Sequence, residues 1–579
     1  EHQRRRAERR QVLEPLGVTA DELWALLAES DESLRSRLVD EPAWLADLRS
    51  LWSAGRDHHT LHDLGLLEVV RPAVEGALAE VVERAEAVVA GHGPGVRDSV
   101  RSMVDAIVAA PPVDQLAMLC SPTMVLELNV ARVEERLGEG TPEDRFSRFV
   151  ALLAQDDVRH ELLSEYVVLL RLVTTRLRFW VDRRVDLVEA YVADLPRLST
   201  TFWSGAAPTV TAVEFGAGDS HREGRSVAII RTSGASVVYK PRSVDLDAGF
   251  DRLLAWTNEQ LPESPLRRLA VVGDDEKTWT EFVDVSISTD AAGAERYARR
   301  LGRLTALLYV MHSTDFHFEN VMASGDDPVL VDLEALFHVE PVGTTEVAVD
   351  EVVNAAATVL GESVRSIGIL PDRIVVTDAA TSYAVDVSAV GGKGGEPGLV
   401  EVPTIVDAGL DTMRIDAQRH TVPAQSNAPS DDSGTAFDLV AQGEPFLTGF
   451  TEAYEVLVEH AADLLAEDGP LSGFAEATVR HIARPTFLYG RLLLKSMHPD
   501  FQRDALDQLM FLGKLLSGHP DRPDRVGVVR AEVDDLVVGD IPIFSVEVGT
   551  GDLFSSDGTT ALGRRVGTPW EAVRRRVEG

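Results

Sequence analysis

The run Asp315-Phe-His-Phe-Glu-Asn320 is followed, twelve positions after Asn320, by Asp332-Leu-Glu334 at the end of an apolar stretch. Transfer of a phosphoryl group to a hydroxyl needs a carboxylate beside the attacking oxygen and oxygen ligands for Mg²⁺. Asp315 fits the first need, and Asn320 and Asp332 fit the second. Glu334 stands where an Asp-Phe-Gly triplet would carry glycine, and His312, three residues before Asp315, breaks the His-Arg-Asp order of protein kinases. The plainer alternative is a polar loop that only satisfies its own backbone.

Upstream, Thr209 to Phe215 and Ser226 to Arg231 read as strands around a glycine-rich turn, Gly216-Ala-Gly-Asp-Ser-His-Arg-Glu-Gly224. A hairpin turn leads to a third strand ending at Lys240, and Asp245 to Leu261 reads as an amphipathic helix. Glycines such as Gly218 and Gly224 let backbone N–H groups approach an anion, and a strand-end lysine is where a kinase places the cation for nucleotide phosphates. Lys240 is one of five lysines in the chain; read by itself, a lysine at a strand end is more often a solvated edge residue. Glu259, nineteen residues on, is either the ion-pair partner that positions Lys240 or a solvated carboxylate at a helix end.

These segments need a scaffold. Residues 1–205 read as helical, with a helix start at Thr141-Pro-Glu-Asp144 that combines a capping residue, proline and early acids. Residues 206–285 hold the strands and Lys240, and 286–337 a long helix followed by the Asp315 and Asp332 segments. Residues 338–445 are irregular, with the cluster Gly391-Gly-Lys-Gly-Gly395 and the polar stretch Gln425 to Ser433, and read as an activation-segment-like insertion. Helices return over 446–579: Gly449 to Leu465, Phe474 to Ala483 running into Pro485, and Leu492 to Leu516, before a strand-like Val537 to Val546.

The chain has 579 residues, 56 Lys+Arg and 94 Asp+Glu, for a net charge of −38. Such a surface repels phosphate backbones, so a broad nucleic-acid interface is not expected, although a local basic pocket for a small phosphate is compatible with it. Cys120 is the one cysteine, which rules out an internal disulfide and a multi-cysteine zinc site. No run of about 18 apolar residues marks a membrane span, and the basic start has no apolar segment behind it. A cytoplasmic protein is expected.

Longer blocks carry a resemblance. Val238-Tyr-Lys-Pro-Arg242, Thr314 to Gly325 and Pro328 to Phe337 resemble the dehydratase domain of class II (LanM-type) lanthipeptide synthetases. So do Tyr166 to Arg171, Gly218-Asp-Ser-His221, Trp279 to Phe282, Asp386 to Ala389, Arg480 with Arg484-Pro-Thr486, and Gly539 to Phe544. The resemblance implies an α+β fold: a kinase-like, lipid-kinase-related two-lobed core with a large N-terminal helical region and added helical elements. It implies ATP and Mg²⁺ as cofactors and a precursor peptide with a leader segment as partner. Ser and Thr would be phosphorylated, and the phosphate then eliminated to leave dehydroalanine or dehydrobutyrine.

By motif match, Lys240, Asp315, His317, Asn320, Asp332 and Glu334 would serve phosphoryl transfer and nucleotide binding. Asp219, His221, Arg480 and Thr486 would serve elimination, with Arg484 a further phosphate contact. His317 and Lys240 both stay open as the base for the Cα proton. A kink at Pro485 would be needed to bring Arg480 and Thr486 to one phosphate if both lie on a helix. The Cys/His zinc cyclase of full-length synthetases has no counterpart in these residues, so ring closure is expected from a domain or protein elsewhere. The competing reading is a kinase-like phosphotransferase, acting on a small molecule or peptide, that stops at the phosphorylated product.

Overall fold

A computed structural model describes residues 18–52, 61, 64–205, 207–216, 221–285, 290–338, 359–377, 382–391, 401–421, 427–430, 437–513, 515, 526–564 and 568–578. The elements combine helices with several small sheets, an α+β mixture. They fall into two units. The first comprises Glu1–Gly234, Pro403–Ala417 and Arg484–Pro542; the second comprises Ala235–Val402, Gln418–Ala483 and Ile543–Gly579.

The first unit is organised on the 35-residue helix Val167–Thr201, whose Leu169, Leu172, Val173, Leu177, Val181 and Val188 are buried. Their three- and four-residue spacing puts them on one stripe, and each fully buried aliphatic side chain contributes on the order of 2 kcal/mol. Helices Ala43–Trp52 and Arg71–Val89 come so close that a Cβ on Gly76 would lie 1.9 Å from the Leu51 carbonyl oxygen. The helix Pro142–Leu153 begins as its sequence predicts. Thr141 Oγ1 accepts from Asp144 N at 3.2 Å, and Asp144 Oδ2 accepts from Thr141 N at 3.0 Å. Strand β1 (Val210–Phe215) pairs antiparallel with β2 (Ala228–Thr232).

The second unit opens with β3 (Val237–Lys240), β4 (Val271–Gly273) and β5 (Thr278–Glu281), in which β5 pairs antiparallel with both others. Buried Tyr239 and Trp279 sit opposite each other in register, rings 4.9 Å apart. Helix Asp245–Gln260 follows β3 and buries Leu246, Phe250, Leu253 and Leu254. Helix Ala291–Val310 then leads to the Asp315 segment and to the hairpin of β6 (Val321–Ser324) and β7 (Asp327–Leu330). Helix Gly443–Glu459 crosses Ala291–Val310 at van der Waals distance. A Cβ on Gly449 would meet Arg299 O at 1.8 Å, and one on Gly302 would meet Phe446 O at 2.1 Å.

Within the irregular region, β8 (Arg373–Thr377) and β9 (Ser382–Asp386) form a hairpin. Strands β10 (Val402–Val406) and β11 (Arg414–Gln418) form a second two-stranded sheet. Most of the Gly391–Gly395 cluster and of the 425–433 stretch lies outside the described residues.

Three sequence expectations are corrected. Phe474 to Ala483 is not a helix: a short 3₁₀ turn at Ser472–Phe474 precedes β12 (Thr478–His481), which pairs with β13 (Phe544–Glu547). Thr478-Val-Arg-His481 buries Val479 and His481, a period of two, and the helical spacing comes only from Phe474 and Ala477 in the turn before it. Leu492 to Leu516 is divided among Thr486–Ser496, Asp500–Arg503 and Ala505–Leu512, separated at Pro499 and at Asp504, which caps the last. Val537 to Val546 is the end of helix Val526–Val537, a turn through Gly539 at φ +82°, and then β13.

Among the described residues one stretch, Pro94–Val133, has an 18-residue window of mean hydropathy 1.4, apolar enough in composition to cross a membrane. It consists of two helices, Pro94–Val108 and Val113–Val133, that meet at Pro111 and Pro112 and bury Met103, Ile107, Leu116, Met124 and Leu128.

Candidate active site

Lys240 ends β3 and is 5% exposed. Its Nζ donates to Asp247 Oδ1 at 2.7 Å and to the Val331 carbonyl at 2.9 Å. The partner is thus Asp247, in the first turn of helix Asp245–Gln260, and not Glu259, which is exposed near that helix's other end. Helix geometry explains the choice. The chain enters the helix five residues after Lys240, so its first turn is the one nearest the strand end. Arg242 shares Asp247, with Nη1 2.9 Å from Oδ2, and its Nη2 lies 3.8 Å from Asp332 Oδ1. Burial by itself would raise the Asp247 carboxyl, but Arg242 and Lys240 together hold it below the usual carboxylate range.

The Lys240–Val331 contact ties β3 to the residue before Asp332. Val331 N donates to Asn320 O at 3.1 Å, so Asn320 and Asp332 are neighbours through the backbone. Asn320 Nδ2 donates to Asp315 O at 2.8 Å, which commits the amide nitrogen and leaves Oδ1 as an acceptor. Asp332 accepts from Glu334 N at 3.2 Å; burial and then Glu334 raise its carboxyl, against Arg242 and Lys240.

Asp315 sits in left-handed backbone at φ +66°, unusual for a non-glycine residue and stabilised here by its neighbours. Phe316 N donates to Ile367 O at 2.8 Å, and His317 forms an antiparallel bridge with Ser388. The Asp386–Ala389 block is therefore the wall against which the Asp315 segment is laid. His317 Nε2 is 3.7 Å from Asp315 Oδ1. Burial raises the Asp315 carboxyl, with His317 and Arg480 opposing, which makes it a better proton acceptor than an exposed aspartate.

Arg480 lies on β12 and joins this cluster. Its backbone N donates to Glu334 O at 2.8 Å, and Nη1 meets Glu334 Oε1 at 2.5 Å. Burial works against the charge, but Glu334, Asp315 and Asp332 keep the guanidinium protonated.

The cluster thus sets three cations, Lys240, Arg242 and Arg480, among four carboxylates, Asp247, Asp315, Asp332 and Glu334. A polyphosphate entering such a site needs further positive charge, and Asn320 Oδ1 with the Asp332 carboxylate offers the hard oxygen donors that Mg²⁺ prefers. Among the described residues no group of three or more His, Cys, Asp or Glu side chains is placed to hold a metal ion. The donor set fits Mg²⁺ held jointly with a nucleotide.

The remaining predicted residues lie in the first unit. Gly218 and Asp219 fall outside the described residues. His221 pairs with Arg225 by two backbone hydrogen bonds, and its Nδ1 is 2.7 Å from the Ile541 carbonyl oxygen. A carbonyl only accepts, so Nδ1 carries the proton and Nε2 is the basic nitrogen of the neutral ring. Arg222, Glu223 and Gly224 are successively left-handed, at φ +49°, +64° and +79°. Buried Asp540 holds this turn by accepting from Glu223 N at 2.7 Å and from Gly224 N at 3.3 Å. Thr486 opens helix Thr486–Ser496, directly after Pro485. Pro485 separates strand from helix rather than kinking one helix. Arg484 Nε donates to Glu532 Oε1 at 2.7 Å, as does Tyr489 Oη at 2.6 Å.

Sequence reasoning missed Asp247, Arg242 and Asp540 as positioning groups. Arg242 and Asp540 stand inside blocks singled out by resemblance, so a signal for them existed; Asp247 had only its place in the first helical turn after Lys240.

A family described as a domain of unknown function (DUF4135) matches residues 166–547, two thirds of the chain, and the chain belongs to that family. That span contains every block on which the LanM-type resemblance rests, and the chain is LanM-like. It is 22% identical, over 77% of its length, to the lacticin 481/lactococcin biosynthesis protein LcnDR2 of Lactococcus lactis subsp. lactis. The match covers 48% of that protein, so the chain spans about half the length of the curated relative it matches.

Proposed function

We propose that this chain is a lanthipeptide dehydratase with a kinase-like core, phosphorylating Ser and Thr of a ribosomally made precursor peptide and then eliminating the phosphate. The observation that carries the reading is Arg480 bound to Glu334 within the cluster of Lys240, Asp315 and Asp332. A simple kinase needs no arginine there, whereas elimination needs donors on a poor, highly charged leaving group. The similarity to a lacticin 481/lactococcin biosynthesis protein supports the same substrate class.

ATP with Mg²⁺ would supply the phosphoryl group. Lys240, held by Asp247, binds phosphate oxygens, and Asn320 and Asp332 are the proposed metal ligands. Asp315 takes the hydroxyl proton as the Ser or Thr oxygen bonds to phosphorus and the bond to the departing diphosphate breaks. In the second step a base removes the Cα proton, the Cβ–O bond breaks, and its electrons leave with phosphate while a Cα=Cβ double bond forms. Arg480 stabilises that leaving phosphate. His221 and Thr486 are proposed to assist, and His317 and Lys240 are the candidate bases. A leader segment on the peptide would be bound outside the cleft.

The test is the intact mass of a cognate precursor peptide after incubation with the chain, ATP and Mg²⁺. Loss of water at Ser and Thr is expected, and Asp315→Asn should abolish both phosphate gain and water loss. Phosphate gain without water loss would replace this reading with that of a plain phosphotransferase.

A further inference from the structure

We propose that Arg242 is a second phosphate-binding cation for the nucleoside triphosphate of this site, and that Asp247 positions it together with Lys240. The inference rests on the phosphotransfer reading above and extends it to Arg242, to which that reading gives no role.

The argument begins with how Asp247 is used. It is 5% exposed, and each of its oxygens faces a different cation: Oδ1 takes Lys240 Nζ at 2.7 Å, and Oδ2 faces Arg242 Nη1 at 2.9 Å. One carboxylate therefore sets two cations side by side. The lysine is fully engaged, since Nζ also donates to the Val331 carbonyl. The arginine is not. Its contacts with Asp247 and Asp332 are close but misaligned, so that Nη1, Nη2 and Asp247 Oδ2 are all buried without a hydrogen bond.

A buried guanidinium with unspent donors is costly unless something completes it. The Arg242 main chain is fixed independently. Its N donates to Lys240 O at 2.9 Å, and its O accepts from Thr278 Oγ1 at 2.9 Å. The side chain is thus a fork on a rigid base, turned toward Asp332, the proposed metal ligand. Guanidinium geometry matches two oxygens of one phosphate, which an ammonium cannot do. The fork stands 2.9 Å from the Asp247 carboxylate that positions it and 3.8 Å from Asp332, so a phosphate sharing the metal held by Asp332 would lie within its reach.

The experiment measures binding of Mg²⁺·AMP-PNP and of adenosine to the full chain by titration calorimetry, with thermal melts of each variant. Arg242→Met is expected to weaken AMP-PNP by about ten-fold or more while adenosine changes less than about two-fold. Arg242→Lys, which keeps charge but not the fork, is expected to weaken AMP-PNP at least about three-fold and carries the test if the Met variant does not fold. AMP-PNP affinity unchanged in both variants, or adenosine weakened as much as AMP-PNP, overturns the proposal. Absence of AMP-PNP binding by the unaltered chain would overturn the phosphotransfer reading itself, a different result from binding that ignores Arg242.

Discussion

Arg480 grips Glu334 at two levels: main-chain N to main-chain O at 2.8 Å, and guanidinium to carboxylate at 2.5 Å. The first contact fixes where β12 lies beside the Asp332–Glu334 segment, and the second fixes the side chain. Removing the side chain keeps the first. Arg480→Ala should therefore phosphorylate peptide at near the original rate but lose about 10²–10³ in phosphate elimination. Mass spectrometry should show phosphopeptide accumulating; dehydrated peptide at the original rate would remove Arg480 from the mechanism.

Glycine is required where helices Ala291–Val310 and Gly443–Glu459 cross. Gly449→Ala puts a methyl into Arg299 O, a backbone atom that moves only with its helix. The expected cost is about 1–3 kcal/mol or more, read as a lowered melting temperature. Gly443→Ala in the same helix, where a Cβ meets nothing within 4 Å, is the control and should melt close to the unaltered chain.

Acid sensitivity should depend on His312. Burial first, then Arg576 and His338, lower its pKa to about 4 from 6.5. The folded state therefore binds this proton less readily than the unfolded chain. Above pH 6.5 both are neutral and the group costs nothing; between pH 6.5 and about 4 stability falls with pH, by about 3 kcal/mol in all. Denaturant midpoints at pH 7 and pH 5 should differ less in His312→Gln than in the unaltered chain. Equal slopes would mean that the ring is solvated.

The Arg484–Glu532 pair predicts an asymmetry. Glu532 is 0% exposed, and its Oε2 is buried without a hydrogen bond, while the Arg484 side chain keeps 24% of its exposure. Arg484→Ala removes the cation from a buried carboxylate and keeps its Tyr489 hydrogen bond, at a cost of about 3–5 kcal/mol. Glu532→Gln leaves an arginine that water reaches and should cost less. Chemical denaturation of the two variants gives the order; a larger loss for Glu532→Gln would refute it.

What could be read from the residues follows the range of the interactions. Asp315, His317 and Asn320 are close in sequence and share one loop, so their grouping is legible from types and spacing alone. The Thr141–Asp144 helix start was legible for the same reason, since both capping bonds are local. Arg480 stands on β12 and not on the helix that its sequence spacing suggests, because four residues of strand beside a 3₁₀ turn have too little period to declare themselves. The partner of Lys240 depended on which end of a helix meets a strand, and periodicity is blind to that. Asp540 stands in a block that the resemblance singles out, but its anchoring of the Gly224 turn, more than 300 residues away, leaves no local pattern.

That anchor sets an order of events. Glu223 and Asp540 are 317 residues apart, so at about 5–20 residues per second a ribosome produces the turn roughly 15–60 s before the side chain that holds it. Through that interval three consecutive left-handed residues, two of them not glycine, have no carboxylate to hold them. His221 meets its Ile541 carbonyl only one residue after Asp540. The nascent chain therefore carries its Lys240, Asp315 and Asp332 segments well before the His221 turn is locked, and protection of that turn against proteolysis should mature after theirs.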